Sequence, residues 1–289
     1  LSAETNDRQV FINEMVEEYD FDESFVSEVI NGANSKQSIL DAMSRPAEKV
    51  KPWYEYRKIF ITDKRINEGV DFWKLREETL ELAAANTGVP VKMITGIVGV
   101  ETFYGRITGS YRVVDALSTL GFDYPPRAKF FRNQLKEFFL LSREENLEIS
   151  DVKGSYAGAM GPPQFIPSSY RAYAVDGDGD GRRDLLTNWD DILNSVGNYF
   201  KRNRWHTGED VAIRALLKPG SKALTSNNEL KANKDLGQLR AMGLIFDSEL
   251  PDSTAANLIV LQGETGMEYW IGLHNFYVIT RYNHSVMYG

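Results

Sequence analysis

Through residues 7–206 hydrophobic side chains recur every three or four positions, the period of an amphipathic helix. "DRQVFINEMVEEY" (7–19) and "DESFVSEVINGA" (22–33) each open on an aspartate able to cap a first turn, and Gly32 is placed to close the second. "PWYEYRKIFIT" (52–62) is aromatic and reads as irregular, whereas "DFWKLREETLELAAANTG" (71–88) is a run of strong helix formers closed by Gly88. The next helix opens at Pro90, with Asn86 or Thr87 available as its cap. It sets Val91, Ile94, Ile97, Val98 and Glu101 on one face before Gly105 offers a stop. "RAKFFRNQLKEFFLLSREEN" (127–146) and "DDILNSVGNYFKRN" (190–203) predict two more amphipathic helices.

The period then shortens to two. "EDVAIRALL" (209–217) alternates, and "ANLIVLQGETGMEYWIGL" (256–273) reads as two strands around a Gly-Glu-Thr-Gly turn. The final "NFYVITRYNHSVMYG" (275–289) is helical in period and reads as a helix cut short at Gly289. No internal repeat is visible. These elements predict an α+β fold that is mainly α. Its parts are a helical domain at 1–87 completed by 274–289, a helical core at 88–206 and a small antiparallel β domain at 207–273.

Composition narrows the function. A chain of 289 residues with 42% hydrophobic and 26% charged residues is an ordinary globular protein, and no apolar run approaches a membrane span. Leu1 in place of Met suggests a processed or trimmed N-terminus whose signal peptide or anchor has been removed. The absence of cysteine excludes disulfides, thiol nucleophiles and thiolate metal sites. A net charge of −8 argues against nucleic acid as a partner. Residues 101–171 nevertheless hold nine Lys/Arg against eight Asp/Glu, and that local balance suits a substrate bearing carboxylates.

Glu101 is the first candidate for chemistry. A carboxylate on an apolar stripe loses hydration, so its neutral form is favoured and its pKa is expected to rise, as a general acid requires. The structural alternative is an ion pair with Arg106 or Arg112, and the pattern leaves both open. No G-x-S-x-G, H-E-x-x-H, P-loop or G-x-G-x-x-G motif occurs, and His206, His274 and His284 are scattered and read as structural or exposed. Acid–base work therefore falls to carboxylates.

Two further stretches carry chemistry. In "YAGAMGPPQFIPSSY" (156–170), the small residues Ala157, Gly158, Ala159 and Gly161 would let a ligand approach the backbone. Ser155, Tyr156 and Gln164 add polar groups, and Met160 and Phe165 add apolar surface. Such a mixture suits a sugar, and it equally suits a tight packing joint. In "DGDGDGRRD" (176–184), Asp176, Asp178, Asp180 and Gly181 match the opening of an EF-hand calcium loop. Arg182 stands where a backbone carbonyl would ligate and Asp184 where a water would bridge. The twelfth position is Thr187 instead of glutamate, so Asp190 or Asp191 would have to close a longer loop.

Assembled, "YEYRKIFIT", "GVETFYGR", "GSYAGAMGPPQFIPSSYRAYAVDGDGDG", "SVGNYFKRNRW" and "FYVITRYNHS" resemble the B-type lytic transglycosylases of Gram-negative bacteria, a lysozyme-like, peptidoglycan-cleaving family. The resemblance covers most of the chain and is weakest in the N-terminal helices and residues 207–260. It implies a lysozyme-like catalytic core with an EF-hand-type calcium loop, and Glu101 as a single catalytic acid/base. It places substrate contacts on Ser155, Gln164, Tyr56, Tyr199, Tyr282, Asn283 and Tyr288, with Arg127 toward the peptide. It also implies structural Ca2+ at Asp176, Asp178, Asp180, Arg182 and Asp191, with no organic cofactor. Pro126 stands where a second arginine is common in the family.

The implied reaction cleaves between N-acetylmuramic acid and N-acetylglucosamine and closes a 1,6-anhydro ring. The substrate's N-acetyl oxygen supports C1 in place of a second carboxylate. Glycan strands are the implied partner, cell-wall synthesis enzymes are a further partner class, and a monomer is expected. The implied location is the periplasm, soluble or lipid-anchored to the outer membrane. Two other readings stay open: a lysozyme-type muramidase using Asp115 and water, and a non-catalytic, calcium-dependent peptidoglycan-binding module.

Overall fold

The computed structural model describes residues 3–45 and 51–289; residues 1–2 and 46–50 of the expected helical domain lie outside it. The first helices are α1 (Ala3–Glu17), α2 (Glu23–Asn31), α3 (Gln37–Ser44) and α4 (Trp53–Phe60). They are followed by α5 (Asp63–Leu75), α6 (Glu77–Thr87) and α7 (Val91–Thr102). Asp22 caps α2 by accepting from the Phe25 amide (2.8 Å), and Gly32 closes it. Asp7 is no cap: α1 starts before it, and its carboxylate pairs with Arg132 (3.0 Å).

Two other expectations are corrected here. The segment read as irregular contains α4, whose Trp53, Tyr56 and Phe60 follow one another on a single face. The long run ending at Gly88 is two helices. The chain bends at Arg76 (φ −117, ψ 20), and α5 opens upstream with Thr62 accepting from the Arg65 amide (3.2 Å). Gly88 closes α6 in the left-handed conformation (φ 73).

Neither Asn86 nor Thr87 caps α7. Asn86 bonds to Asn194 (3.0 Å), and Thr87 donates back to the Ala83 carbonyl (2.6 Å). Nor does Gly105 stop the helix. The chain turns left-handed earlier, at Phe103 (φ 53) and Tyr104 (φ 60), conformations that cost energy for residues with a Cβ. Tyr104 compensates by inserting its ring between α5 and α7. A Cβ on Gly69 or Gly99 would stand 2.9 or 2.8 Å from that ring, whose hydroxyl donates to the Arg65 carbonyl (3.0 Å). The helix therefore ends one residue after Glu101.

The chain continues through β1 (Tyr111–Arg112), α8 (Val113–Phe122), α9 (Ala128–Glu145), β2 (Lys153–Gly154), α10 (Pro167–Tyr173) and α11 (Trp189–Arg202). A sheet region follows: β3 (Ala212–Leu217), β4 (Lys234–Asp235), α12 (Leu236–Ala241), β5 (Leu244–Ile245), β6 (Ala255–Gln262) and β7 (Met267–Gly272). Its strands run antiparallel in the order β4-β6-β7-β3-β5, and β6 and β7 form the expected hairpin around Gly263–Gly266.

Strand β6 does not alternate with solvent because both its faces are covered. Leu258 and Val260 enter the sheet's own core with Leu236, Leu239 and Ile271. Ile259 and Leu261 pack toward Phe276, Trp53 and Met287, which ties the sheet to α4. A separate large core draws on α1 to α3, on α5 to α11 and on Val278 and Ile279, so it spans the expected boundary at residue 87. The last helix, α13 (His274–Thr280), ends well before Gly289. Residues 281–289 are turns that fold back toward α7 instead of continuing a helix.

Candidate active site

A cavity of about 610 Å³ opens at the C-terminal end of α7. It is lined by six residues expected from the sequence: Glu101, Arg127, Gln164, Tyr199, Tyr282 and Asn283. Thr102 fixes the local geometry. Its hydroxyl donates to the Pro162 carbonyl (2.8 Å) and accepts from the Gly105 amide (3.0 Å), joining the end of α7 to the loop that carries Gln164. Tyr288 donates to Glu101 Oε1 at 2.6 Å, while its ring and Tyr56 line a second, smaller cavity.

Three tyrosines wall this region, with Tyr199 and Tyr282 at 4.8 Å between centroids and Tyr282 and Tyr288 at 6.4 Å and nearly parallel. Their hydroxyls donate to the Arg281 carbonyl, the Pro163 carbonyl and Glu101 respectively, each at 2.6 Å. Burial pushes Tyr199 up to about 12. Burial, then the neighbouring Glu101 charge, pushes Tyr282 and Tyr288 well above the usual phenol range. All three therefore stay neutral hydroxyl donors at physiological pH.

Ser155 and Gln164 are occupied with the loop itself. Ser155 Oγ accepts from the Ala157 (3.2 Å) and Ala159 (3.1 Å) amides, and Ser155 is not among the cavity-lining residues. Gln164 is left-handed (φ 53), and its Nε2 donates to the carbonyls of Thr108 (3.1 Å) and Gly161 (3.0 Å). Arg127 lies over Phe130 and Phe131, 4.4 and 5.1 Å from their ring centres. The arginines suggested as partners for Glu101 are engaged elsewhere: Arg106 with Glu68, and Arg112 with Asp115 (3.4 Å) and the Ser150 carbonyl (2.9 Å). Asp115 is buried, accepts from the Asn34 amide (2.9 Å) and pins the α2–α3 connection to α8. It does not line the cavity.

Between α10 and α11, carboxylate oxygens of Asp176, Asp178 and Asp191 lie within 4.8 Å of one another. Asp191 is fully buried and accepts from the amides of Gly177 and Asp184, both at 2.6 Å. Burial raises its pKa; the two amide bonds oppose that, and the charges of Asp178 and Asp176 add to it. The side-chain amide of Asn188 bonds Asp178 (2.9 Å) and, ahead of the Asp180 amide, holds that carboxylate below its usual range. Asp180 is not part of the group; its Oδ1 accepts from the Arg182 amide (2.8 Å). Asp190 accepts from Thr79 on α6 (2.9 Å).

Residues 3–289 match the family described as the transglycosylase SLT domain. The chain belongs to that family. Among its relatives, membrane-bound lytic murein transglycosylase B of Escherichia coli (strain K12) is 42% identical over 297 residues, covering 99% of this chain and 80% of the relative. The solved soluble lytic transglycosylase SltB1 of Pseudomonas aeruginosa is 52% identical, with a TM-score of 0.91 over 97% of this chain and 94% of that one. The Escherichia coli lytic transglycosylase Slt35, solved in complex with calcium, is 42% identical, with a TM-score of 0.90 over 98% of this chain and 88% of that one. The family's activity is thus that of this chain: lytic transglycosylation of murein. The mainly helical fold with an antiparallel sheet is likewise the fold of its solved relatives.

Several lining residues escaped the sequence reading. Arg281, Ser169, Phe130 and His284 all reach the cavity, and His284 is exposed there as the sequence reading allowed. His206 and His274 instead stack on each other at 3.8 Å. The small residues divide in function. Ala157 and Ala159 line the cavity, but Gly158 and Gly161 make room for protein: a Cβ would stand 2.5 Å from Leu117 Cδ2 in the first case and 2.0 Å from the Leu185 carbonyl in the second. Gly161 is also left-handed (φ 65). Gly161→Ala is therefore expected to destabilise the protein by roughly 1–3 kcal/mol, read as a lowered Tm in thermal melting. An unchanged Tm would mean that this joint yields easily.

Proposed function

We propose that Glu101 is the single acid/base of the lytic reaction. The observation that carries this reading is that Glu101 is the one carboxylate among the described residues lining the cavity, which otherwise presents arginines, tyrosines, amides, Ser169, His284 and apolar groups. In its acid form, Glu101 donates to the glycosidic oxygen between N-acetylmuramic acid and N-acetylglucosamine. Positive charge developing at C1 is met by the substrate's own N-acetyl oxygen, because no second carboxylate stands in the cavity among the described residues. Glu101 then takes the proton of the C6 hydroxyl as that oxygen closes on C1, giving a 1,6-anhydro end.

The Tyr288 hydroxyl steadies the carboxylate between these two roles and fixes its rotamer. Tyr199, Tyr282 and Asn283 form the wall against which the sugar rests, with Tyr56 behind Tyr288. Arg127 and Arg281 face stem-peptide carboxylates. Ser155 and Gln164 shape the loop and act on substrate through its backbone.

For the acidic loop, the donor set fits a calcium ion. Asp176, Asp178 and Asp191 bring hard oxygen atoms together, and burial, with the charges of Asp178 and Asp176, raises the pKa of Asp191, a conflict that a cation would relieve. These three carboxylates would hold the ion, whose contribution is structural. Asp180 would have to turn to join them, and Arg182 would offer only its carbonyl. Periplasmic location is part of the same reading: murein is the substrate, and no helix among the described residues is long and apolar enough to cross a membrane.

Mass spectrometry of digested, purified murein tests the mechanism. Anhydromuramic ends, one water lighter than reducing ends, are expected as the dominant product. Asp115→Asn is expected to lower stability through its ion pairs with Arg112 and Lys36 and to retain turnover per folded molecule. Dominant reducing ends, together with an inactive but folded Asp115→Asn variant, would convert the assignment to a water-using muramidase.

A further inference from the structure

Three cations gather over one ring at the C-terminal end of α7. The Phe103 ring centre lies 4.7 Å from the Arg65 guanidinium, 5.1 Å from that of Arg106 and 5.8 Å from Lys64 Nζ. None of these four residues lines either cavity, and Lys64 and Arg106 are exposed. Such a grouping stands out in a chain of net charge −8. Among the described residues, the one carboxylate paired with these cations is Glu68, which holds Arg106. We propose that Lys64, Arg65 and Arg106 form an exosite for stem-peptide carboxylates of murein, outside the cleft and separate from Arg127. The proposal depends on murein as the substrate and not on the role of Glu101.

The packing holds this positive charge together and gives it few acceptors. The Arg65 guanidinium lies against Phe60 (5.3 Å) as well as Phe103. Its Nε and Nη1 atoms are buried without a hydrogen-bond acceptor among the described residues, and burial draws its pKa below the usual arginine range. The ring faces attract the cations but carry no counter-charge. Like charges this close repel one another, so an anion within reach of all three is held more firmly than by a single surface lysine. Location selects which anion. Phe103 stands two residues after Glu101, in the left-handed turn that ends α7. A stem peptide of four residues extends up to roughly 14 Å from its muramic acid, far enough to carry a carboxylate beyond the cleft. The glycan being cut therefore brings the ligand with it, and carboxylates form charge-assisted hydrogen bonds with guanidinium and ammonium groups.

The test compares glycan strands of equal length with and without their peptides. Wild type, Lys64→Ala, Arg106→Ala and Glu68→Gln digest both, and the readout is the ratio of kcat/KM on peptide-bearing strands to that on peptide-free strands. Each cation variant should lower the ratio by roughly two- to fivefold, through KM, and the loss should shrink as salt is raised. Glu68→Gln removes the counter-charge on Arg106 and should raise the ratio. Lys64 and Arg106 are exposed, so both variants should fold, and thermal melting checks this. An unchanged ratio in both cation variants, equal losses on the two substrates, or a Glu68→Gln ratio that falls would each overturn the exosite. Binding to phosphatidylglycerol vesicles that Lys64→Ala loses, with the ratio unmoved, would overturn it too and make the cluster a lipid-facing surface.

Discussion

Glu101→Gln is expected to fold like the wild type and to lose cleavage of murein by roughly a hundred- to ten-thousand-fold. The amide preserves the size of the side chain and an oxygen that can accept from Tyr288, so the 2.6 Å contact has a substitute. What it cannot do is give a proton to the glycosidic oxygen or take one from the C6 hydroxyl. Under the proposed mechanism both halves of the reaction use the same group, so no intermediate should accumulate in the variant. Soluble products from labelled murein measure the loss, and thermal melting with near-ultraviolet circular dichroism checks the fold. Turnover close to wild type would make Glu101 a structural residue and would leave the cavity without a carboxylic acid among its described lining residues.

That glutamate was legible in the sequence because its helix repeats its pattern over five positions, and one charged residue in an apolar stripe stands out. The turn after it was not. A glycine at position 105 draws attention, while the left-handed Phe103 and Tyr104 depend on space left by Gly69 and Gly99, which no local pattern encodes. Residues 281–289 keep a helical period, yet a bond spanning 187 positions recruits Tyr288 to Glu101. Helix α4 escaped notice because aromatic, acidic and basic residues alternate closely in it, although its rings keep the spacing of one helical face.

Paired elements of only two residues, such as β4 and β5, have no period to detect. The small residues of the 156–161 loop showed that something approaches the backbone closely. Whether that is a sugar or Leu117 and Leu185 is decided by the tertiary fold. Asp190 and Asp191 are indistinguishable by spacing, but adjacent residues of a helix point about 100° apart, and Thr79 on α6 engages the first.

Calcium is expected to raise the stability of the folded protein by roughly 2.7 kcal/mol when its free concentration is a hundred times the dissociation constant, provided it does not bind the unfolded chain. Without a cation, Asp191 is buried beside Asp176 and Asp178, and burial together with their charges disfavours its ionised form. A hard cation removes that conflict, and the irregular spacing suits calcium better than the strict octahedron of magnesium. Asp178 and Asp191 should then behave differently when removed. Asp178→Ala takes away an exposed carboxylate that bonds Asn188, so its main effect should be to abolish the calcium-dependent rise in Tm. Asp191→Ala should be destabilised even in chelator, by roughly 1–3 kcal/mol for each amide left without an acceptor at Gly177 and Asp184. Melting of the three proteins in calcium, magnesium and chelator, with calorimetry of calcium binding, separates these effects. Equal Tm for wild type in all three conditions and no heat of binding would mean that the loop is held by its own hydrogen bonds. Asn188 links Asp178 to the first turn of α11, the helix that carries Tyr199, so loss of the ion should also loosen the tyrosine wall of the cleft.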